Sequence, residues 1–219
     1  MITRELAEQI LKELTASMYE YCLNEKKVSS DEATRLSMRL YNHCFVVGIV
    51  AEKIGIKAGL DGDRCYILGL LHDLGKFTPN RSHGIVGYEI ANSNNDFQLA
   101  KICLTHVFAQ DKKIRDSEFP NNNFRDQDIE KTKKILADLE FDDYDLLIRL
   151  SDFMSIGESS NASTIDDRLV DLKNRYGMTE CEHIALKEEL SGIKSYFDKK
   201  LCCDLYKMFN LCQSNEVTK

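Results

Sequence analysis

Histidine and aspartate stand side by side at the end of an apolar run, Cys65-Tyr66-Ile67-Leu68-Gly69-Leu70-Leu71-His72-Asp73. The run predicts a buried helix. Such a helix has no packing use for adjacent His and Asp. Neighbouring side chains point about 100° apart on a helix, so these two can reach different sides of one ion. Gly75 reads as the helix stop, and Lys76 leaves a cation just past the pair. A bare His-Asp dipeptide means little, and its weight here comes from the other candidates. The chain holds five histidines. His43, His72, His83 and His106 each lie on or beside an apolar helical pattern. Asp152 lies in another, Leu146-Leu147-Ile148-Arg149-Leu150-Ser151-Asp152-Phe153-Met154. One such histidine alone would be read as a core side chain with a single hydrogen bond. Mixed imidazole and carboxylate ligation suits Fe, Mn, Zn or Ni, whereas Mg prefers oxygen.

Separate helices must carry these residues. Leu6, Ile10, Leu14 and Met18 recur at helical spacing over residues 4–23. Ser29 with Glu32 forms a capping-box signature opening a helix to about Ile54, with Gly55 as its stop. His43, Val46, Val47, Val50 and Ile54 share one face of it, so His43 points into the core. Asp61 or Asp63 caps the helix ending in His72-Asp73. Pro79 makes residues 76–81 a loop, which sets Lys76 and Arg81 near the candidate ligands. For Arg81 a solvated loop charge is an equal reading. Ser82 caps a helix over 83–92 with His83 in its first turn. Gly84 and Gly87 leave room for a ligand or for close helix packing. His106 sits on the inward face of a helix over 97–109.

Residues 110–127 form one long polar loop. It could close as a lid over the site, with Phe119, Phe124 and Arg125 against a base or ribose, or lie on the body as a surface excursion. A helix over 128–140 follows. Asp142-Asp143 then caps the helix delivering Asp152. Residues 155–163 are a linker, and Ser163 opens a helix ending at Tyr176 before Gly177. A last helical pattern runs from Thr179 to about Phe209, with Gly192 as a candidate bend. It either packs on the first helix or gives a contact between two copies. His183, beside Glu180 and Glu182, reads as a surface residue.

The length, 219 residues, is enough for one domain over 1–219 with its own core. Only two prolines fit an all-α chain. A net charge of -7 argues against duplex nucleic acid as a partner, since that needs a basic face. It leaves a small anionic ligand open, because a local metal site overrides global charge. No apolar stretch has membrane-spanning length, and Glu5 comes too early for a signal peptide. The eight cysteines lack Cys-x-x-Cys pairs or zinc spacing and read as reduced core thiols, which implies a cytoplasmic protein.

The order His43, His72-Asp73, His83, His106, Asp152 resembles the HD superfamily of metal-dependent phosphohydrolases, all-helical enzymes whose ligands come from separate helices. The resemblance covers residues 28 to 176 and leaves about 179–212 as a C-terminal helical extension. His43, His72, Asp73 and Asp152 match the minimal HD signature. His83 and His106 resemble the extra pair of its two-metal branch. Ser82-His83-Gly84-Ile85-Val86-Gly87-Tyr88 looks most like the bacterial HD hydrolases of diadenosine tetraphosphate. Arg168-Leu169-Val170-Asp171-Leu172 looks like the tail of small bacterial HD proteins. The His-His-Glu and Gly-Tyr-Pro motifs of cyclic di-GMP phosphodiesterases are absent.

The resemblance implies two divalent transition metals, Fe or Mn foremost and Zn or Ni as alternatives. His43, His72, Asp73 and Asp152 would hold one. Asp73 would bridge to a second held by His83 and His106, and a metal-activated hydroxide would attack phosphorus. Asp73 and Lys76 are the catalytic candidates, with Lys76 and Arg81 as substrate contacts. A phosphorylated nucleotide is the expected substrate, a diadenosine polyphosphate foremost. Two other classes stay open: an HD-type di-iron oxygenase, which would use the same six ligands, and a nucleotide-sensing module without turnover.

Overall fold

In the computed structural model, which describes residues 2–76, 81–108 and 126–211, the first helix, α1 (Arg4–Asn24), starts where Thr3 accepts a hydrogen bond from the Leu6 amide. Its buried face, Ala7, Leu11, Met18 and Cys22, packs on α2 (Ser30–Lys57) and α3 (Gly62–Leu71). Ser29 caps α2 by accepting from the Glu32 amide, as the capping signature predicts. The Glu32 side chain turns instead to Arg35.

The helix α2 does not stop at Gly55. It runs to Lys57, because the missing side chain at Gly55 lets Cys65 of α3 pack directly against it. The break comes at Ala58 and Gly59, the latter at φ 80°. α2 is the central helix of the bundle: α1, α3 and the later helix α7 (Asp143–Asp152) all pack on it. Val47, Ala51, Ile54, Leu68, Leu71, Leu147 and Leu150 are fully enclosed there. Truncating one such leucine to alanine costs about 2–5 kcal/mol.

α4 (His83–Ser93) lies along α5 (Phe97–Thr105). α6 (Asp126–Asp138) joins them through a second apolar cluster of Ile85, Val86, Leu104, Phe108 and Leu136. Asp142 caps α7 in a reciprocal capping box with Asp145. Residues 155–163 form the linker, closed by a bridge between Ser155 and Ala162. Thr164 rather than Ser163 caps α8 (Ile165–Tyr176), through Asp167, and Gly177 ends it at φ 71°. α9 (Glu180–Leu201) runs through Gly192 as one helix. It packs on α7, α8 and the short α10 (Leu205–Met208). His183 is half-buried, not a plain surface residue.

The fold is all-α, with ten helices and no strand among the described residues. No helix there is long and apolar enough to cross a membrane. Cys22, Cys44, Cys65 and Cys103 are buried as core thiols, whereas Cys181 and Cys202 are exposed and Cys203 is half-buried. The loop expected over 110–127, with Phe119, Phe124 and Arg125, lies almost wholly outside the described residues, as does Cys212.

Candidate metal centre

The candidate ligands sit where helices end. His72 is the C-cap of α3, and Asp73 follows in the tight turns of residues 71–76. His83 is the first residue of α4, His106 the C-cap of α5, and Asp152 the last residue of α7. Only His43 projects from mid-helix, on the buried face of α2. Gly75 has a more specific role than a helix stop. A Cβ there would collide with the backbone of His83 and Gly87, so glycine is what brings α4, and with it His83, up to Asp73. Gly84 and Gly87 pack against Cys103 and Val107, which settles them as close-packing residues.

The six residues converge on Asp73. Its Oδ2 lies 3.8 Å from His43 Nε2 and 3.5 Å from His72 Nε2. Its Oδ1 lies 3.4 Å from His83 Nε2 and 3.6 Å from His106 Nε2. His43 Nε2 is also 3.1 Å from Asp152 Oδ1. His83 and His106 bring their Nε2 atoms to 3.2 Å. Asp73 is therefore shared by two groups that could each hold a metal ion, His43-His72-Asp73 and Asp73-His83-His106. The Lys76 ammonium pairs with Asp73 Oδ2.

The protonation pattern fits cations. His72 Nδ1 is 2.7 Å from the Gly69 carbonyl, and His106 Nδ1 is 3.0 Å from the Ile102 carbonyl. A carbonyl only accepts, so both rings carry their proton on Nδ1 and turn an Nε2 lone pair toward the Asp73 carboxylate. Lone pairs facing a carboxylate repel unless positive charge lies between them. His72 Nε2 is buried without a hydrogen-bond partner, an expensive state for a polar atom that ligation would relieve.

Burial keeps the His43, His72 and His83 imidazoles neutral. It lowers the pKa of His72 to about 4 and of His83 to about 3. It also lowers that of His43, against the hydrogen bond with Asp152. Burial pushes the Asp73 carboxyl up, but Lys76 and the histidines around it outweigh this and hold it well below the usual range. Burial likewise opposes the Lys76 ammonium, and Asp73 outweighs it, so that pKa rises. Neutral imidazole beside ionised carboxylate is the state that binds a metal.

The family comparison agrees with this geometry: the HD domain family model matches residues 40–172, more than half of the chain. The chain belongs to the HD domain family. HD domains are mostly metal-dependent hydrolases. No curated protein and no solved structure matched the chain. Within this HD domain the His/Asp clusters fit two divalent ions: His43, His72 and Asp73, with Asp152 beside them, for one, and Asp73, His83 and His106 for the other.

The HD centre is buttressed by residues outside the candidate ligand set. Arg149, almost fully buried, donates to the His106 carbonyl at 2.8 Å and forms a two-point pair with Glu189 of α9. Ser155 donates to the His43 carbonyl at 3.1 Å. Arg168 reaches Asp152 Oδ1 at 3.4 Å and Asp171 at 3.0 Å. Only the spacing of Arg168, Asp171 and Arg175 on one face of α8 could have signalled the last cluster.

Beside the centre lies a cleft of about 430 Å³ that reaches His43 and Lys76. Its other charged lining residues are Lys26, Arg35, Arg39, Arg168 and Arg175, and Tyr176 stands at its exposed mouth. No carboxylate lines it among the described residues.

Arg81 was expected as a substrate contact. It does not line that cleft. Its guanidinium is held in two-point pairs by Asp128 of α6 and Glu89 of α4. Two carboxylates hold all its nitrogens, so Arg81 ties α4 to α6 in this structure.

Proposed function

We propose that this HD protein is a phosphohydrolase acting on a phosphate ester or anhydride of a nucleotide, with a diadenosine polyphosphate as the leading candidate. The observation that carries the reading is the placement of Asp73, whose two oxygens face two different histidine pairs. When bound, two divalent ions supply charge for phosphoryl oxygens and an acidified water as nucleophile.

The chain's own residues do the rest. Asp73 and Asp152 enter as carboxylates and the histidines as neutral donors. Lys76 follows Asp73 by one turn and lines the cleft, so its ammonium can swing from Asp73 to a non-bridging phosphoryl oxygen and stabilise the charge that grows there. Buried walls of α2, α3 and α5 keep bulk water off the ligand side of the site. Tyr176 offers an exposed aromatic face at the cleft mouth, suited to a nucleobase. The likeness of residues 82–88 to diadenosine tetraphosphate hydrolases supports the candidate substrate, although Gly84 and Gly87 also serve helix packing.

The test is product release from a nucleotide panel that includes diadenosine polyphosphates, by enzyme loaded with Mn or Fe, with oxygen uptake followed in parallel. Turnover lost in Asp73→Ala supports the reading. Oxygen uptake by ferrous enzyme without phosphate release would give the oxygenase. Tight nucleotide binding without product would give the sensor.

A further inference from the structure

Arg35, Arg39 and His43 follow one another at intervals of four on α2, so they form a single stripe. At a rise of 1.5 Å per residue, Arg39 lies about 6 Å and Arg35 about 12 Å along the axis from the metal-ligand histidine. α8 brings Arg168 and Arg175 to the same cleft from the other side.

One carboxylate organises three of these cations. Asp171 accepts from Arg39 at 2.9 Å, from Arg168 at 3.0 Å and from Arg175 at 3.0 Å through Nε. Glu158 adds a pairing to Arg39 at 2.8 Å from the exposed rim. Lys26, also exposed, has no carboxylate within salt-bridge distance among the described residues. Arg168 is nine-tenths buried, and its Nε is enclosed without a hydrogen-bond partner. Arg168 also reaches Asp152 at 3.4 Å, so carboxylates neutralise these guanidinium groups from outside the cleft. The cleft lining itself carries Lys26, Arg35, Arg39, Arg168 and Arg175 and no carboxylate among the described residues. The lining of the cleft therefore offers N–H donors with no carboxylate competing for them. It suits an anion with several acceptor oxygens.

We infer that this arginine wall is a subsite for a second phosphate group, so that the substrate carries phosphates in tandem and not a single phosphomonoester. The scissile phosphate lies at Asp73 and Lys76, and the chain of phosphates runs along α2 toward Arg39 and then Arg35. This placement rests on the phosphohydrolase reading, but the subsite itself is read by binding.

Calorimetric titration of metal-loaded protein with α,β-methylene-ADP and with AMP isolates the second phosphate, because the nucleoside is common to both. Metal content is measured after each titration. The wild type binds the diphosphate analogue at least tenfold more tightly than AMP. In Arg39→Gln that preference falls at least fivefold, and Arg39→Lys recovers part of it. Arg35→Gln, at the surface with Glu32 and Glu158, guards against a folding defect at Arg39 and also lowers the preference. Equal affinity for the two ligands in the wild type, or an undiminished preference in both Gln variants, would overturn the subsite. Binding through these arginines with no hydrolysis of any nucleotide would leave the subsite and remove the phosphohydrolase reading. Hydrolysis without the preference would do the reverse.

Discussion

Arg149 Nη1 lies 2.8 Å from the carbonyl oxygen of His106, so a buried guanidinium on α7 holds the end of α5 where a candidate ligand sits. Glu189 of α9 faces the same guanidinium at 2.8 Å on two atoms. α9 thereby reaches the candidate metal centre without touching it.

Glu189→Gln keeps the shape of this contact and removes its charge. Removing one charge of a buried ion pair costs about 3–5 kcal/mol. For a chain of this size the melting temperature falls by roughly 10 °C. The site holding His83 and His106 loses metal affinity by about 10–100-fold, as expected for a residue that positions a ligand. Thermal unfolding and metal titration check both effects. A variant that melts and binds metal like the wild type would reduce Arg149 to a packing residue.

How legible this was differs from residue to residue. Hydrophobic periodicity and caps marked the helices, because Ser29, Asp61 and Asp142 cap helices locally. The ligand set stood out because polar residues in apolar runs have few packing uses. Gly55 misled as a stop, since its value lies in contact with Cys65 on another helix. The pair between Arg81 and Asp128 was hidden for a related reason: the partners are distant in sequence, and nothing local announces them. The cluster of Arg39, Arg168 and Arg175 on Asp171 was not legible, because it forms only where two helices meet.

Arg81→Met separates a structural tie from a substrate contact. Loss of the pairs to Glu89 and Asp128 should lower stability by about 1–3 kcal/mol, with kcat/KM of the folded enzyme within twofold of wild type. The pH dependence has a definite sign. The hydrogen bond from Arg81, against some burial and with help from Lys131, holds the Glu89 pKa at about 2, below its ordinary 4.5. Its contribution is full above pH 4.5 and is lost as pH falls toward 2. Without Arg81, Glu89 returns toward its ordinary value, and stability changes less steeply across that window. Acid unfolding followed by circular dichroism reads the slope. A large loss of kcat/KM would restore Arg81 as a substrate contact.

Lys76→Met should keep its metals and lose rate. A removed donor to developing charge typically costs about 10²–10³ in kcat. Metal content with steady-state kinetics separates the two effects. An unchanged kcat would leave Lys76 as a counter-charge to Asp73 and nothing more.

His83→Ala removes a donor from one ligand group only, since His43 and His72 face the other oxygen of Asp73. About one metal per chain should remain after reconstitution, with activity reduced by orders of magnitude. Retention of two metals would show that His83 ligates neither.

The most direct measurement is metal stoichiometry in reconstituted, dialysed protein, wild type against Asp73→Ala, by elemental mass spectrometry. A bridging Asp73 predicts about two divalent ions per wild-type chain and a loss of both in the variant, because one carboxylate completes both ligand groups. A variant that still folds and still holds two ions would contradict the account.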